Sequence, residues 1–143
     1  MTSAPVSTLV ECVPNFSEGR DPEKVRQLVA ALISVPGVSL LDQEMDADHN
    51  RCVITIVGPK EAIGEAAVRG VGKAAELIDL TRHQGAHPRI GAADVVPFIP
   101  VRGVTLDDCV EIVEHHDPAE ARQVGRRHRK REHESSLPHA TAP

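Results

Sequence analysis

The chain has 143 residues, enough for one hydrophobic core and not for a second. Its hydrophobic fraction of 41% comes almost wholly from Val, Ile, Leu and Ala, with two Phe and neither Trp nor Tyr, so the core must be aliphatic. A net charge of −5 argues against nucleic acid or an anionic membrane as a general partner, and a small anionic ligand would need a local basic site. No apolar run approaches the roughly 18–20 residues that span a bilayer, and no basic region followed by an apolar stretch opens the chain, so a soluble cytoplasmic protein is expected. Cys12, Cys52 and Cys109 are odd in number and lack CxxC spacing, which fits buried thiols in a reducing compartment rather than a metal or redox pair.

In chain order, Leu9 to Val13 alternates as a short strand and stops at Pro14-Asn15. Asp21-Pro22-Glu23 is a helix start, because the Asp side chain can cap free amides and Pro tolerates the first helical position. Val25, Leu28, Val29, Leu32 and Ile33 then recur at helical spacing, and Pro36-Gly37 ends the run. A strand is expected from Val38 to about Leu41, opening into the acidic segment Asp42 to Asp48, whose four carboxylates cannot be buried unpaired. The next strand, Cys52 to Val57, is rich in β-branched residues and closed by Gly58-Pro59.

From Lys60 to Leu80, Ile63, Ala66, Ala67, Val71, Ala74, Ala75 and Ile78 form the narrow face of a long helix; its three glycines each weaken it by about 1 kcal/mol relative to Ala, so close packing must compensate. Arg82 to Gly91 has no periodicity and reads as a loop. Val95 to Val101 is a strand that Pro97 and Pro100 assign to an edge or a bulge. Thr105-Leu106-Asp107-Asp108 is a capping-box variant, starting a third helix with Cys109, Val110, Ile112 and Val113 as its buried side. The order β-α-β-β-α-β-α predicts an α+β fold, a mixed sheet with helices covering one face, over residues 8–116. Residues 117–143, crowded with Arg and ending in Ser, Pro and Ala, are expected to be a disordered basic tail.

Three segments could carry chemistry. In Asp48-His49-Asn50-Arg51, Arg51 could hold a carboxylate through two hydrogen bonds and Asn50 could orient an amide or amidine; a hairpin turn in which Asp48 and Asn50 bond their own backbone explains the spacing equally well. In His83-Gln84-Gly85-Ala86-His87-Pro88-Arg89, a histidine can move a proton either way near neutral pH, Pro88 restricts the backbone of His87, and Arg89 adds a fixed charge. A surface loop that merely contains histidines is the plain alternative, and no third ligand is spaced to make a metal site. Pro14 to Arg20 could bind an anion at exposed amides before a helix, although it is too short and irregular for a Walker-type loop.

Taken together, LVECVPNFSEGR (Leu9 to Arg20), HNR (His49 to Arg51), LIDL (Leu77 to Leu80) and HPRIGAADVVPFIPVRGVT (His87 to Thr105) resemble the formiminotransferase family, in colinear order over about residues 8–114. The resemblance is to the amino-terminal subdomain. It implies transfer of a formimidoyl group from N-formimino-L-glutamate to N5 of tetrahydrofolate, the acceptor, in histidine breakdown. His87 matches the family's catalytic His, and Glu44, Asn50, Arg51 and Arg89 are the implied substrate-binding residues, with Glu44 standing where animal-type members carry Asp. Family enzymes have a second subdomain of similar size and bind substrates between the two, and the sequence does not extend into one. The resemblance therefore implies a subunit, fragment or single-subdomain relative that self-associates or meets a separate second-subdomain chain. A non-catalytic binding module that keeps the fold is the alternative; a nucleic-acid role for the basic tail is disfavoured because no aromatics interleave its charges.

Overall fold

A computed structural model describes residues 7–78 and 92–116. Strand β1 (Leu9–Cys12) runs into a two-residue continuation, β2 (Asn15–Phe16). Proline has no N–H for the ladder, which explains the break at Pro14; its carbonyl still accepts from Ile54 N at 3.1 Å. Helix α1 (Pro22–Leu32) starts as expected, with the Asp21 carboxylate accepting the Glu23 N–H at 3.0 Å. It buries Val25, Leu28 and Leu32, whereas Ile33 is the C-cap and lies exposed, outside the expected apolar face.

Strands β3 (Ser39–Asp46) and β4 (Arg51–Gly58) form a hairpin. β3 runs on through the acidic segment to Asp46, beyond the strand end expected near Leu41. Among the described residues β3 pairs only with β4, and an edge strand leaves its carboxylates in water without cost to the ladder. Helix α2 (Lys60–Leu77) buries the expected Ala-rich face, including Gly64 and Gly70. Strands β5 (Ala93–Val95) and β6 (Phe98–Arg102) are separated at Val96-Pro97, and β6 pairs with β1 through a register shift. Helix α3 (Leu106–His115) carries the full capping box: Thr105 Oγ1 accepts from Asp108 N at 3.1 Å and Asp108 Oδ2 from Thr105 N at 2.9 Å. Only Cys109 and Ile112 of α3 are buried; Val110 and Val113, expected inside, join Leu106 on its outer side.

The fold is α+β, but the sheet is not mixed: every pairing among the described strands is antiparallel. The reason is topological. The crossover through α1 joins β1 to β3, which run the same way, and β4 lies between them, so no two parallel strands become neighbours. Alternation along β4 divides the sheet into two faces. Cys12, Phe16, Cys52, Ile54 and Ile56 share one core with Leu28 and Leu32 of α1, Ile63 and Ala66 of α2, and Ile112 of α3, so the helices cover that face. The opposite face carries half-buried Arg51, Val53, Thr55 and Val57, with Glu11 opposite Val57 and Glu44 opposite Val53. No described helix is long and apolar enough to cross a membrane. The basic tail lies outside the described residues.

Candidate functional site

At one end of the open face the β3–β4 hairpin borders a cavity of about 580 Å³, lined by Glu44, Met45, Asp46, Ala47, Asp48, Arg51 and Val53. Register explains the grouping. Asp46 stands directly opposite Arg51, and Glu44 stands opposite Val53, so Glu44, Asp46 and Arg51 project from the same face. The structure thus brings Glu44 and Arg51 to one cavity. Arg51 Nε is shielded from solvent and has no hydrogen-bond partner among the described residues.

Asn50 lies behind this cavity rather than in its lining. It is the only non-glycine among the described residues with positive φ, at 49°, a conformation that Asn tolerates better than most residues. It is buried, and its Oδ1 accepts the Gly19 N–H at 2.8 Å. The turn ahead of it is closed by Asn50 N donating to Ala47 O at 3.3 Å. Asp46 accepts twice from His49, through the backbone N–H at 3.1 Å and at Nδ1 at 2.6 Å. The amide bond and then the ring bond hold the Asp46 carboxyl below the usual Asp range.

The loop after β2 is tied to its neighbours and to its own Glu18. Ser17 N donates to Ala92 O, Gly19 N to Asn50, and Arg20 N and Asp21 N both to Glu18 Oε2, at 2.8–3.1 Å. The Ser17, Gly19, Arg20 and Asp21 amides thus already have acceptors, which argues against the reading of Pro14 to Arg20 as an anion loop. Glu18 is itself buried, with Lys24 Nζ 3.7 Å from its carboxylate. Sequence reasoning missed this role for Glu18 and Gly19 and missed the Asp46–His49 pair. The available signal for the pair was an Asp three residues before a His across a turn.

Between the start of α2 and the end of α3 lies a second cavity of about 240 Å³, bordered by Glu61, Asp108, Glu111, His115 and His116. Among the described residues no group of three or more His, Cys, Asp or Glu side chains is placed to hold a metal ion. His83, His87 and Arg89 lie outside the described residues.

Comparison with known proteins adds to this geometry. The model of the formiminotransferase domain, N-terminal subdomain, matches residues 9–133. The chain is 51% identical over 107 residues to a glutamate formimidoyltransferase of Streptococcus pyogenes, covering 75% of this chain and 36% of that protein. Against the glutamate formimidoyltransferase of Thermoplasma acidophilum it is 48% identical over 120 residues, 84% of this chain and 37% of the relative. The formimidoyltransferase-cyclodeaminase of Sus scrofa is 47% identical over 120 residues, 84% of this chain and 22% of the relative. The chain thus spans little more than a third of the length of these relatives, or less. With a family model matched along most of its length, it belongs to the formiminotransferase family, as the N-terminal subdomain.

Proposed function

We propose that this chain supplies one half of the active site of a folate-dependent formimidoyl transferase, with N-formimino-L-glutamate as donor and tetrahydrofolate as acceptor. The observation that carries this reading is the convergence of Glu44 and Arg51, two residues picked from sequence, on one cavity of the open sheet face. The donor is chemically mixed, an amidine attached to a dicarboxylate. Arg51 suits a carboxylate through paired hydrogen bonds, and the Glu44 carboxylate suits the cationic amidine. Val53, Val57 and Ile99 give the same face an apolar floor that fits a flat ring such as the pteridine of the acceptor.

The reaction then needs one proton carrier. N5 of the acceptor attacks the amidine carbon, a C–N5 bond forms, and His87 takes the N5 proton. The bond from that carbon to the glutamate nitrogen breaks as His87 returns a proton to it, leaving glutamate and the formimidoyl acceptor. Arg89, two residues on, would offset negative charge on either substrate. Three buried free thiols suit a cytosolic enzyme.

The open face is where we place the second subdomain, supplied in cis or by another chain. Residues corresponding to the remaining length of the S. pyogenes relative, expressed separately and mixed with this chain, are expected to restore transfer that neither piece performs alone. His87→Ala in the mixture should lower turnover about a hundredfold or more. Near-normal turnover in that variant would remove His87 from the mechanism. No transfer in a mixture shown to form a complex would sink the enzymatic reading in favour of a binding module.

A further inference from the structure

We infer that Asn50 and Gly19 are positioning residues that fix the direction in which Arg51 leaves the sheet. This rests on the reading of Arg51 as the anchor for the donor's carboxylate. Arginine carries several rotatable bonds, and recognition of a carboxylate by two parallel hydrogen bonds works only if the guanidinium plane is held. Arg51 is the first residue of β4, where a strand would ordinarily fray into its turn.

Several contacts hold it in place. A Cβ built on Gly19 would lie 2.4–2.5 Å from Asp46 O, Arg51 N and Arg51 O, so the loop backbone is pressed against the hairpin end and against both sides of Arg51. Gly19 N donates to Asn50 Oδ1 across 31 residues of sequence. Asn50 spends its positive φ to turn the chain so that its amide faces inward to Gly19 while Arg51 faces the cavity. Arg20 Nε donates to Ala47 O at 2.8 Å, closing the other end of the same turn. Behind this contact, the buried Glu18 carboxylate ties Arg20 and Asp21 amides and keeps the loop from retreating. The segment from Ser17 to Arg20 is thus the back wall of Arg51 rather than a ligand loop.

The test uses the full chain labelled with nitrogen-15 arginine, with the Arg51 Nε–H resonance assigned by its loss in Arg51→Lys. In the unsubstituted protein that proton is shielded and should exchange slowly with water. Asn50→Gly keeps the positive φ and deletes the amide, and should speed exchange about tenfold or more while the backbone spectrum stays folded. Asn50→Asp keeps an acceptor for Gly19 and should restore slow exchange. An unchanged Arg51 resonance in a folded Asn50→Gly protein overturns the proposal, as does loss of slow exchange in a folded Asn50→Asp protein. In the two-piece enzyme, Asn50→Gly should raise KM for the donor with kcat little changed, and should not add to Arg51→Lys. If Arg51 is released in the spectrum and KM does not move, the carboxylate-anchor reading fails while the positioning contact stands.

Discussion

At the scale of single residues, the clearest chemistry is electrostatic and lies in the β3–β4 turn. Asp46 is held below its ordinary value of 3.8 by the His49 amide and ring, so its pairing is formed when the carboxyl is ionised. A group whose pKa is lower in the folded state adds stability above the unfolded value and loses it as pH falls through the folded one. Asp46→Asn should therefore melt below the unsubstituted protein at pH 6, and the difference should shrink as pH falls below the ordinary 3.8 and through the lower folded value; a constant gap in melting temperature across that fall would refute the pairing. Burial also pushes the Cys12 and Cys52 thiols up to about 12, and Glu18 adds to the effect at Cys52. Neither should react with a thiol reagent at pH 8 until the protein is denatured, which a stopped-flow titration with and without denaturant reads directly.

Helix α2 sets two effects of opposite sign against each other at its glycines. Replacing an interior helical Gly by Ala gains about 1 kcal/mol of helix propensity if the new methyl finds room. At Gly70 it does not: the Cβ would lie 2.3 Å from Leu32 Cδ2 and 2.9 Å from Leu32 Cγ, and Leu32 is fully buried. Overpacking of about 1–3 kcal/mol should win, so Gly70→Ala is expected to destabilise, read as a lower urea midpoint. At Gly64 the obstacle is the ring of His116, half-buried at the end of α3, whose Nδ1 lies 3.1 Å from Ile112 O, a bond that water can replace if the ring turns outward. Gly64→Ala should then be neutral or stabilising, and a loss as large as at Gly70 would mean that the His116 contact is fixed. On α3, Thr105→Ala removes one half of the capping box and should cost about 1 kcal/mol.

On the scale of the whole molecule, the described helices pack on one sheet face, and the other carries half-buried Val53 and Val57 and exposed Ile99 among carboxylates. That face belongs to a chain whose match covers little more than a third of each relative, or less, and light scattering should find the isolated chain self-associating or binding the separate second half. Calorimetry should find weak binding of a tetrahydrofolate analogue by the chain alone, because contacts from the other half are missing while the ordering cost remains. Tight binding by a clean monomer would contradict a shared site. Ending the chain after His116 removes nothing from the core of described residues, which closes at Ile112, and should leave the melting temperature nearly unchanged.

The sequence by itself determined the three helices, strands β1 and β4, and the α+β class. Local signals are short-range: Asp21-Pro22 starts a helix, Gly58-Pro59 closes a strand, and Thr105 with Asp108 caps α3, each through atoms a few residues apart. The β-branched run of β4 and the Ala face of α2 were legible for the same reason, whereas the alternate burial along β4 was not. Glu44 and Arg51 could be picked from their residue types and from family resemblance. That they line one cavity depends on the register Glu44↔Val53 and Asp46↔Arg51, which the spacing of residues alone left open. Only the tertiary structure decided that β4 lies between β1 and β3, which makes the sheet antiparallel, and that the acidic segment is an edge strand. It alone revealed the Gly19–Asn50 contact. That bond joins residues 31 apart in sequence, and a contact made by chain crossing leaves no periodicity for a sequence to display.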